Sequence, residues 1–140
     1  MKEIIRIAIK GGSGYCPEDE AYSDKVTISR NHIRYECKGA CPLPSWSHKS
    51  SDPEYQLLFD DLAQSVLALI HTDELLPFVC DIGPTEFVIT YEDKTKEKRE
   101  YFLPSDHFET CFSIAKRMLP RGVDIPWVLM TSDDYEDIDD

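Results

Sequence analysis

The fold is decided by residues Phe87–Leu119, which read FVITYEDKTKEKREYFLPSDHFETCFSIAKRML. Phe87–Tyr91 and Arg99–Leu103 contain β-branched and aromatic residues and are joined by a polar tip, a pattern that predicts a β-hairpin. Ser105 then begins a helix pattern over Asp106–Leu119, because apolar side chains recur there every three or four residues. The stretch as a whole predicts a ββα unit.

A second ββα unit lies earlier in the chain. Alternating apolar residues over Lys25–Cys37 predict a hairpin with its turn at 29–32. The next helix is predicted over Pro53–His71, since Asp52 is a favoured N-cap and proline suits the first helical position. Both helices carry an apolar stripe that has to be buried against a sheet.

The other segments complete the predicted fold. Alternating isoleucines predict a strand over 3–10, and the apolar residues 127–130 predict a short last strand or a packed extended arm. Residues 15–24 and 38–51 are predicted as loops, the second anchored by Trp46. We therefore predict an α+β fold: an antiparallel sheet of about five strands with two helices packed on one face, in the order β-ββ-α-ββ-α.

The length and charge predict one domain with an acidic end. A chain of 140 residues fits a single α+β domain, which we place at 1–131. The 15 basic and 27 acidic residues give a formal net charge of −12, and six of the acids lie in 133–140. We expect 132–140 to be a flexible, solvated C-terminal tail that can dock on a basic surface.

Charge and hydropathy exclude two classes of partner. The basic residues are scattered among acids along the chain, so we expect no nucleic-acid binding. The most apolar window, Leu57–Ile70, contains Asp60 and Asp61, so we expect no membrane span. The first residues lack the apolar core of a secretory signal, and a cytoplasmic location is therefore expected.

The five cysteines are an odd number, and in a reducing compartment we expect them to be free thiols. Two alternatives remain open for Cys37 and Cys41, which lie four residues apart across a glycine turn. They could form a redox-sensitive disulfide, or they could hold structural zinc together with Cys16, His32 or His48. Since no second ligand pair is present, we expect no metal and no cofactor.

Other reactive residue types have simpler structural explanations. The Gly11–Gly14 loop resembles a phosphate-binding turn, but an acidic, non-helical segment follows it. Cys111 lies on the apolar stripe of its helix, which indicates an inert core thiol. Asp106 and His107 fall in the first turn of that helix, where adjacent side chains diverge, and His71–Glu74 is the end of the first helix. We expect no catalytic residues.

No motif in the chain names a reaction. Our leading hypothesis is a non-enzymatic interaction or regulatory module that binds a protein partner or a second copy of itself. It would act through the uncovered sheet face, the 38–52 loop or the acidic tail. The alternative is a small-molecule or metal (Zn) binding protein that uses the Cys37 and Cys41 loop or the Gly11–Gly14 loop, and a small enzyme is third.

Overall fold

The structure, a computed structural model, describes residues 3–12, 21–40, 43–71, 85–101 and 108–131. Six antiparallel strands form one sheet with the order β4-β3-β2-β1-β5-β6. The strands are β1 (Ile4–Gly12), β2 (Tyr22–Ser29), β3 (His32–Gly39), β4 (Trp46–Lys49), β5 (Thr85–Tyr91) and β6 (Lys96–Tyr101). The helices are α1 (Pro53–Ile70), α2 (Glu109–Arg117) and a 3-10 helix (Trp127–Leu129).

The predicted α+β class is confirmed, and the sheet has one strand more than predicted. The additional strand is β4, which lies within the segment 38–51 that was predicted to be a loop. It pairs with β3 from His32 opposite Lys49 to Tyr35 opposite Trp46. As predicted, Trp46 anchors this segment, because its ring lies 6.0 Å from that of Tyr35. With only four residues and one apolar side chain, β4 gives almost no periodic signal.

One hydrophobic core lies between one face of the sheet and the helices. A ladder of Ile33, Ile28, Ile7 and Ile89 runs across four neighbouring strands, and all four side chains are fully buried. The α1 stripe packs against this face through Tyr55, Leu58, Phe59, Leu62, Val66 and Ile70. Helix α2 adds Cys111, Phe112 and Ala115 to the same cluster, so the two helices share one side of the sheet.

The start of α1 follows the predicted capping chemistry. The Asp52 carboxylate accepts a hydrogen bond of 2.9 Å from the Glu54 N–H, and Pro53 occupies the first helical position. The predicted start of α2 at Ser105 lies outside the described residues, as do Asp106 and His107. None of the helices within the described ranges is both long and apolar enough to cross a bilayer.

The segment predicted as a last strand or extended arm is instead a 3-10 helix that packs on β1 and β2. Two contacts hold it there. The Val128 N–H donates a 2.8 Å hydrogen bond to the Asp24 carboxylate, and the Trp127 ring meets that of Tyr22 edge-on at 4.6 Å. A Cβ at Gly11 would lie 2.7 Å from the Val128 side chain, so this glycine allows the close approach.

Candidate interaction surface

The face of the sheet opposite the core is covered by no element of the described chain. We call it the open face, and its side chains are assigned by strand alternation and register. They are Arg6, Ala8, Lys10 and Gly12 on β1; Ser23, Lys25, Thr27 and Ser29 on β2; His32, Arg34, Glu36 and Lys38 on β3; Ser47 and Lys49 on β4; Glu86, Val88 and Thr90 on β5; and Lys96, Lys98 and Glu100 on β6.

The strand register arranges most of these side chains in three ladders that cross the sheet. The first ladder is Lys49, His32, Ser29, Arg6, Thr90 and Lys96. The second is Ser47, Arg34, Thr27, Ala8, Val88 and Lys98. The third is Glu36, Lys25, Lys10, Glu86 and Glu100. The first two ladders therefore contain basic residues and no acids.

The open face is strongly basic although the chain is acidic. Its basic side chains are Arg6, Lys10, Lys25, Arg34, Lys38, Lys49, Lys96 and Lys98, and its acids are Glu36, Glu86 and Glu100. Eight cations and three anions give this face a formal charge of +5, whereas the whole chain carries −12. The fold thus gathers on one face basic residues that are dispersed along the sequence.

Most of this positive charge is not neutralised by neighbouring side chains. Arg34 pairs with Glu36 at 3.0 Å, and Lys98 pairs with Glu86 at 3.5 Å. The other six cations have no carboxylate oxygen within 4.0 Å in the part of the chain that the structure describes; they are Arg6, Lys10, Lys25, Lys38, Lys49 and Lys96. The open face is consequently a region of positive potential that would attract an anion.

The open face offers charge and small side chains and no aromatic rings among its described residues. Its middle is occupied by Ala8 and Val88, beside Thr27 and Thr90. It therefore has no extended apolar patch of the kind that marks an obligate dimer interface. It also lacks the aromatic platform on which single-stranded nucleic acids stack their bases.

A small cleft lies at one end of the open face. It has a volume of about 180 Å³ and is lined by Lys10, Lys25, Lys38, Ser23 and Glu36, with Asp24 beside them. Lys10 and Lys25 are directly opposite each other on neighbouring strands. Like charges in this position repel, and an anion placed between them would relieve the repulsion. We call this the lysine cleft.

A larger cavity of about 680 Å³ lies between the end of α1 and the β5–β6 hairpin. Leu67, Ala68 and the Tyr91 ring line it, and Glu97 and His71 supply polar groups. The Tyr91 hydroxyl donates a 2.7 Å hydrogen bond to Glu97, whose carboxylate lies 3.8 Å from His71 Nε2. Burial and the neighbouring carboxylate raise the pKa of Tyr91 to about 12, so its hydroxyl stays protonated and can donate.

The structure corrects the expectation of free thiols for one cysteine. Cys37 is disulfide-bonded. Its partner is one of the three cysteines outside the described residues, which are Cys16, Cys41 and Cys80. A disulfide sulfur is not a thiolate, so in this state Cys37 cannot ligate zinc. The two histidines proposed to complete the zinc site lie on opposite sides of the sheet: His32 is on the open face, and His48 is opposite core residue Ile33.

The remaining candidates do not form a reaction centre within the described ranges. No group of three or more His, Cys, Asp or Glu side chains there could hold a metal ion. As predicted, Cys111 is buried in the core, and burial raises the pKa of its thiol to about 11. Gly11 and Gly12 belong to β1, while Gly14 lies outside the described residues, and of the segment 71–74 only His71 is described.

Asp24 is a buried acid that the sequence analysis missed, because it was assigned to an exposed loop. It lies in β2 with only 4% of its surface exposed. Its Oδ2 accepts hydrogen bonds from Tyr35 at 2.9 Å and from the Val128 N–H, while Oδ1 has no partner in the described chain. Burial raises the pKa of Asp24 and outweighs these hydrogen bonds, which lower it. We assign Asp24 an anchoring role, because it joins β2 to the 3-10 helix.

The basic face was also missed by the sequence analysis, although a signal for it was present. Three pairs of basic residues are each separated by an even number of positions within one strand. The pairs are Arg6 and Lys10 in β1, Arg34 and Lys38 in β3, and Lys96 and Lys98 in β6. Even spacing places them on one side of a strand. Only the register shows that these separate pairs lie on the same face of one sheet.

Comparison of the chain with protein-family models, with curated proteins and with solved structures finds no match. The function therefore has to be argued from the surface chemistry described above.

Proposed function

We propose that this protein is a non-enzymatic interaction module whose open face binds an acidic segment of a partner protein. The observation that carries the proposal is the segregation of charge. Eight basic side chains and three acidic ones lie on one uncovered face of an otherwise acidic chain. Clustered, unpaired cations attract partners of opposite charge and direct their approach.

The ladder geometry fits an extended, carboxylate-rich peptide. Successive ladders are two residues apart along each strand, which is a spacing of about 6.6–6.8 Å. Alternate side chains of an extended peptide have the same spacing. A peptide lying along the strands can therefore place every second carboxylate over a new ladder, with Arg6, Arg34 and Lys98 among its partners.

The side-chain composition of the described open face favours a protein segment over nucleic acid as its partner. Sequence-tolerant binding of single strands relies on aromatic rings that stack on bases. The aromatic side chains of the neighbouring strands, such as Tyr35, Trp46 and Phe87, belong to the core.

The size of the open face indicates a weak and transient complex. Six strands at about 4.8 Å spacing make a surface about 24 Å wide. The strands average seven residues, or about 23 Å, so the projected area is roughly 550 Å², which is below the patch of about 800 Å² per partner found in stable complexes. Because exposed charges dominate the contact, we expect a dissociation constant in the micromolar range that rises with salt.

The test is fluorescence anisotropy of a labelled dodecamer of glutamate, titrated with the full chain at about 20 mM salt. The face variant is Arg6→Gln/Arg34→Gln/Lys98→Gln. Its control, Lys94→Gln/Arg117→Gln/Arg121→Gln, removes the same charge at exposed positions away from the open face. We expect the face variant to lose at least about tenfold in affinity and the control less than about threefold.

Two results would contradict the proposal. One is an equal loss of affinity in the face variant and the control, which would show that only net charge matters. The other is tighter binding of a twelve-nucleotide oligothymidine than of the glutamate peptide, which would identify the open face as a nucleic-acid surface.

The sequence predicts a cytoplasmic location, whereas the disulfide at Cys37 favours an oxidising compartment, because disulfides persist mainly there. Peptide mapping without reductant, on protein taken from its native compartment, decides between the two. Recovery of Cys37 in a disulfide-linked peptide would exclude a reducing cytoplasm as the location of the protein.

A second candidate function, the binding of a small molecule, is favoured by the cavity beside His71. Its volume of about 680 Å³ is typical of ligand sites, and it combines apolar walls with the Glu97 carboxylate. The Glu97 carboxylate already pairs with Arg99 at 3.3 Å, and Lys96 also lines the cavity, so its apolar walls define the ligand and we choose phenol, a small neutral aromatic molecule, as the probe. We expect NMR shifts at Leu67 and Tyr91 that disappear in Leu67→Gln. Absence of shifts at millimolar phenol would rule out this site for that class of ligand.

A further inference from the structure

We infer that two copies of this chain pair through the free edge of β6, so that their sheets join into one antiparallel sheet. The partner of the edge is the β6 strand of the second copy, related to the first by a two-fold axis at Lys98. The contact is made by backbone groups at the sheet edge, so it goes beyond the proposed function and does not depend on it.

Strand β6 is the last strand of the sheet, and its outer side pairs with no other strand of the described chain. The Tyr91 N–H donates a 2.9 Å hydrogen bond to the Thr95 carbonyl, which fixes the hydrogen-bonded positions of the β5–β6 ladder. These positions alternate, so Glu97 and Arg99 direct their backbone groups toward β5. The residues whose backbone groups point to the free edge are Lys96, Lys98 and Glu100.

A side-chain contact supports this direction of the backbone groups. The Lys98 carbonyl accepts a 3.1 Å hydrogen bond from the Arg99 guanidinium, and this contact is exposed. A carbonyl oxygen has two lone pairs, so it can also accept from the N–H of an added strand. The β6 edge thus offers a row of backbone donors and acceptors that a further strand would satisfy.

The alternation of backbone groups restricts how two β6 strands can pair. Across an antiparallel contact, a residue with outward groups has to face another residue with outward groups. In a symmetric pair the two-fold axis must therefore pass through a residue, and not between two residues. When the axis lies at Lys98, the three outward-facing residues of each copy form hydrogen-bonded pairs with those of the other.

The side-chain charges favour the axis at Lys98. With the axis there, Lys96 lies opposite Glu100 of the second copy, on the open-face side of the sheet. On the core side, Glu97 lies opposite Arg99 of the second copy. By symmetry each of these opposite-charge pairs occurs twice, so the edge strand is complementary to itself.

Other ways of pairing two edges are less favourable. The axis at Lys98 leaves one like-charge contact, Lys98 with itself, and Glu86 at 3.5 Å offsets that charge. An axis at Glu97 would place Lys96 opposite Lys98, and an axis at Arg99 would place that residue opposite itself. The other edge strand, β4, contains no acid and cannot form opposite-charge pairs with its own copy.

The test is sedimentation equilibrium of the full chain without ligand, between about 10 and 500 μM protein and at about 20 mM salt. We expect a reversible dimer with a dissociation constant of about 100 μM, because one pair of edge strands is smaller than a standard interface. Two variants reverse one charge each: Lys96→Glu and Glu100→Lys. The matched control, Lys49→Glu, makes the same change on the exposed opposite edge.

We expect each β6 variant alone to dimerise at least about tenfold more weakly, since its opposite-charge pairs on the open-face side become like-charge pairs. An equal mixture of the two variants should recover a dissociation constant within about threefold of the wild type. In the mixed dimer, the new Glu lies opposite the new Lys, and the native Glu100 lies opposite the native Lys96. The control should weaken the dimer by less than about threefold.

Four results would overturn the inference. They are a monomeric wild type at about 500 μM, an equal loss in Lys49→Glu, a mixture that does not recover, and a loss in Glu100→Lys with none in Lys96→Glu. The last result would place the axis at Arg99, where Lys98 lies opposite Glu100 of the second copy. Because no peptide is present, none of these results decides whether the open face binds the glutamate dodecamer.

Discussion

Asp24 and Lys25 show at the scale of single residues how this protein separates its charges. The two are adjacent in the sequence, but Asp24 is buried beneath the 3-10 helix and Lys25 lies on the open face. The alternation of a strand alone accounts for the difference. The sequence could not reveal it, because Asp24 follows an acidic, proline-containing segment that is typical of a loop.

The buried carboxyl of Asp24 should make stability depend on pH. Because its pKa is raised on folding, its contribution to stability is fully present below the unfolded pKa of about 4 and is lost as the pH rises through the folded pKa. Asp24→Asn keeps an acceptor for the Val128 N–H and removes the charge. We therefore expect the free energy of unfolding of the wild type, minus that of Asp24→Asn, to fall as the pH rises above about 4.

Urea unfolding at a series of pH values measures this difference. Asp60→Asn is the control, since Asp60 is a half-exposed acid that pairs with Arg30 at 2.8 Å. We expect this substitution to change the free energy of unfolding by no more than about 1 kcal/mol. If the difference in free energy of unfolding between the wild type and Asp24→Asn does not change with pH, then burial does not raise the pKa of this carboxyl group.

At the scale of elements, the helices were more predictable than the short segments. Asp52 and Pro53 marked the start of α1 because capping is local chemistry. The edge strand β4 and the 3-10 helix depend on distant partners: β4 pairs with β3, and the helix is held by Asp24 from 104 positions away. Local sequence patterns do not encode such distant contacts, so β4 and the 3-10 helix were both assigned wrongly.

The packing of α2 is tested by Phe112→Ala. The Phe112 ring is fully buried and lies 6.4 Å from the Phe87 ring and 5.5 Å from the Phe108 ring. Removing it leaves a cavity between α2 and the sheet, so we expect a loss of about 3–5 kcal/mol in the free energy of unfolding. Chemical denaturation provides the measurement.

Thr110→Ala is the control for this substitution. Thr110 is exposed on the same helix, and we expect its replacement to change stability by less than about 1 kcal/mol. A loss below about 1 kcal/mol for Phe112→Ala would mean that α2 does not pack against β5 through this ring.

At the scale of the whole molecule, charge is organised by the sheet and not by the sequence order. The hydrophobic periodicity predicted which side of each strand and helix is polar, and it predicted the α+β class correctly. It could not predict that Lys49, Arg6 and Lys96 fall in one ladder, because that depends on strand order and register. An acidic chain with scattered bases therefore acquires a basic face only on folding.

The most direct test of the central claim observes each lysine of the full chain separately. Reductive methylation with a ¹³C label keeps the lysine charge and gives each side chain its own NMR signal. On titration of the full chain with the glutamate dodecamer, we expect the signals of the open-face lysines to shift; these are Lys10, Lys25, Lys38, Lys49, Lys96 and Lys98. Lys94 and Lys116, which lie off the open face, should stay unchanged. Shifts of similar size at all lysines, or shifts confined to Lys94 and Lys116, would contradict the assignment of the open face as the binding surface.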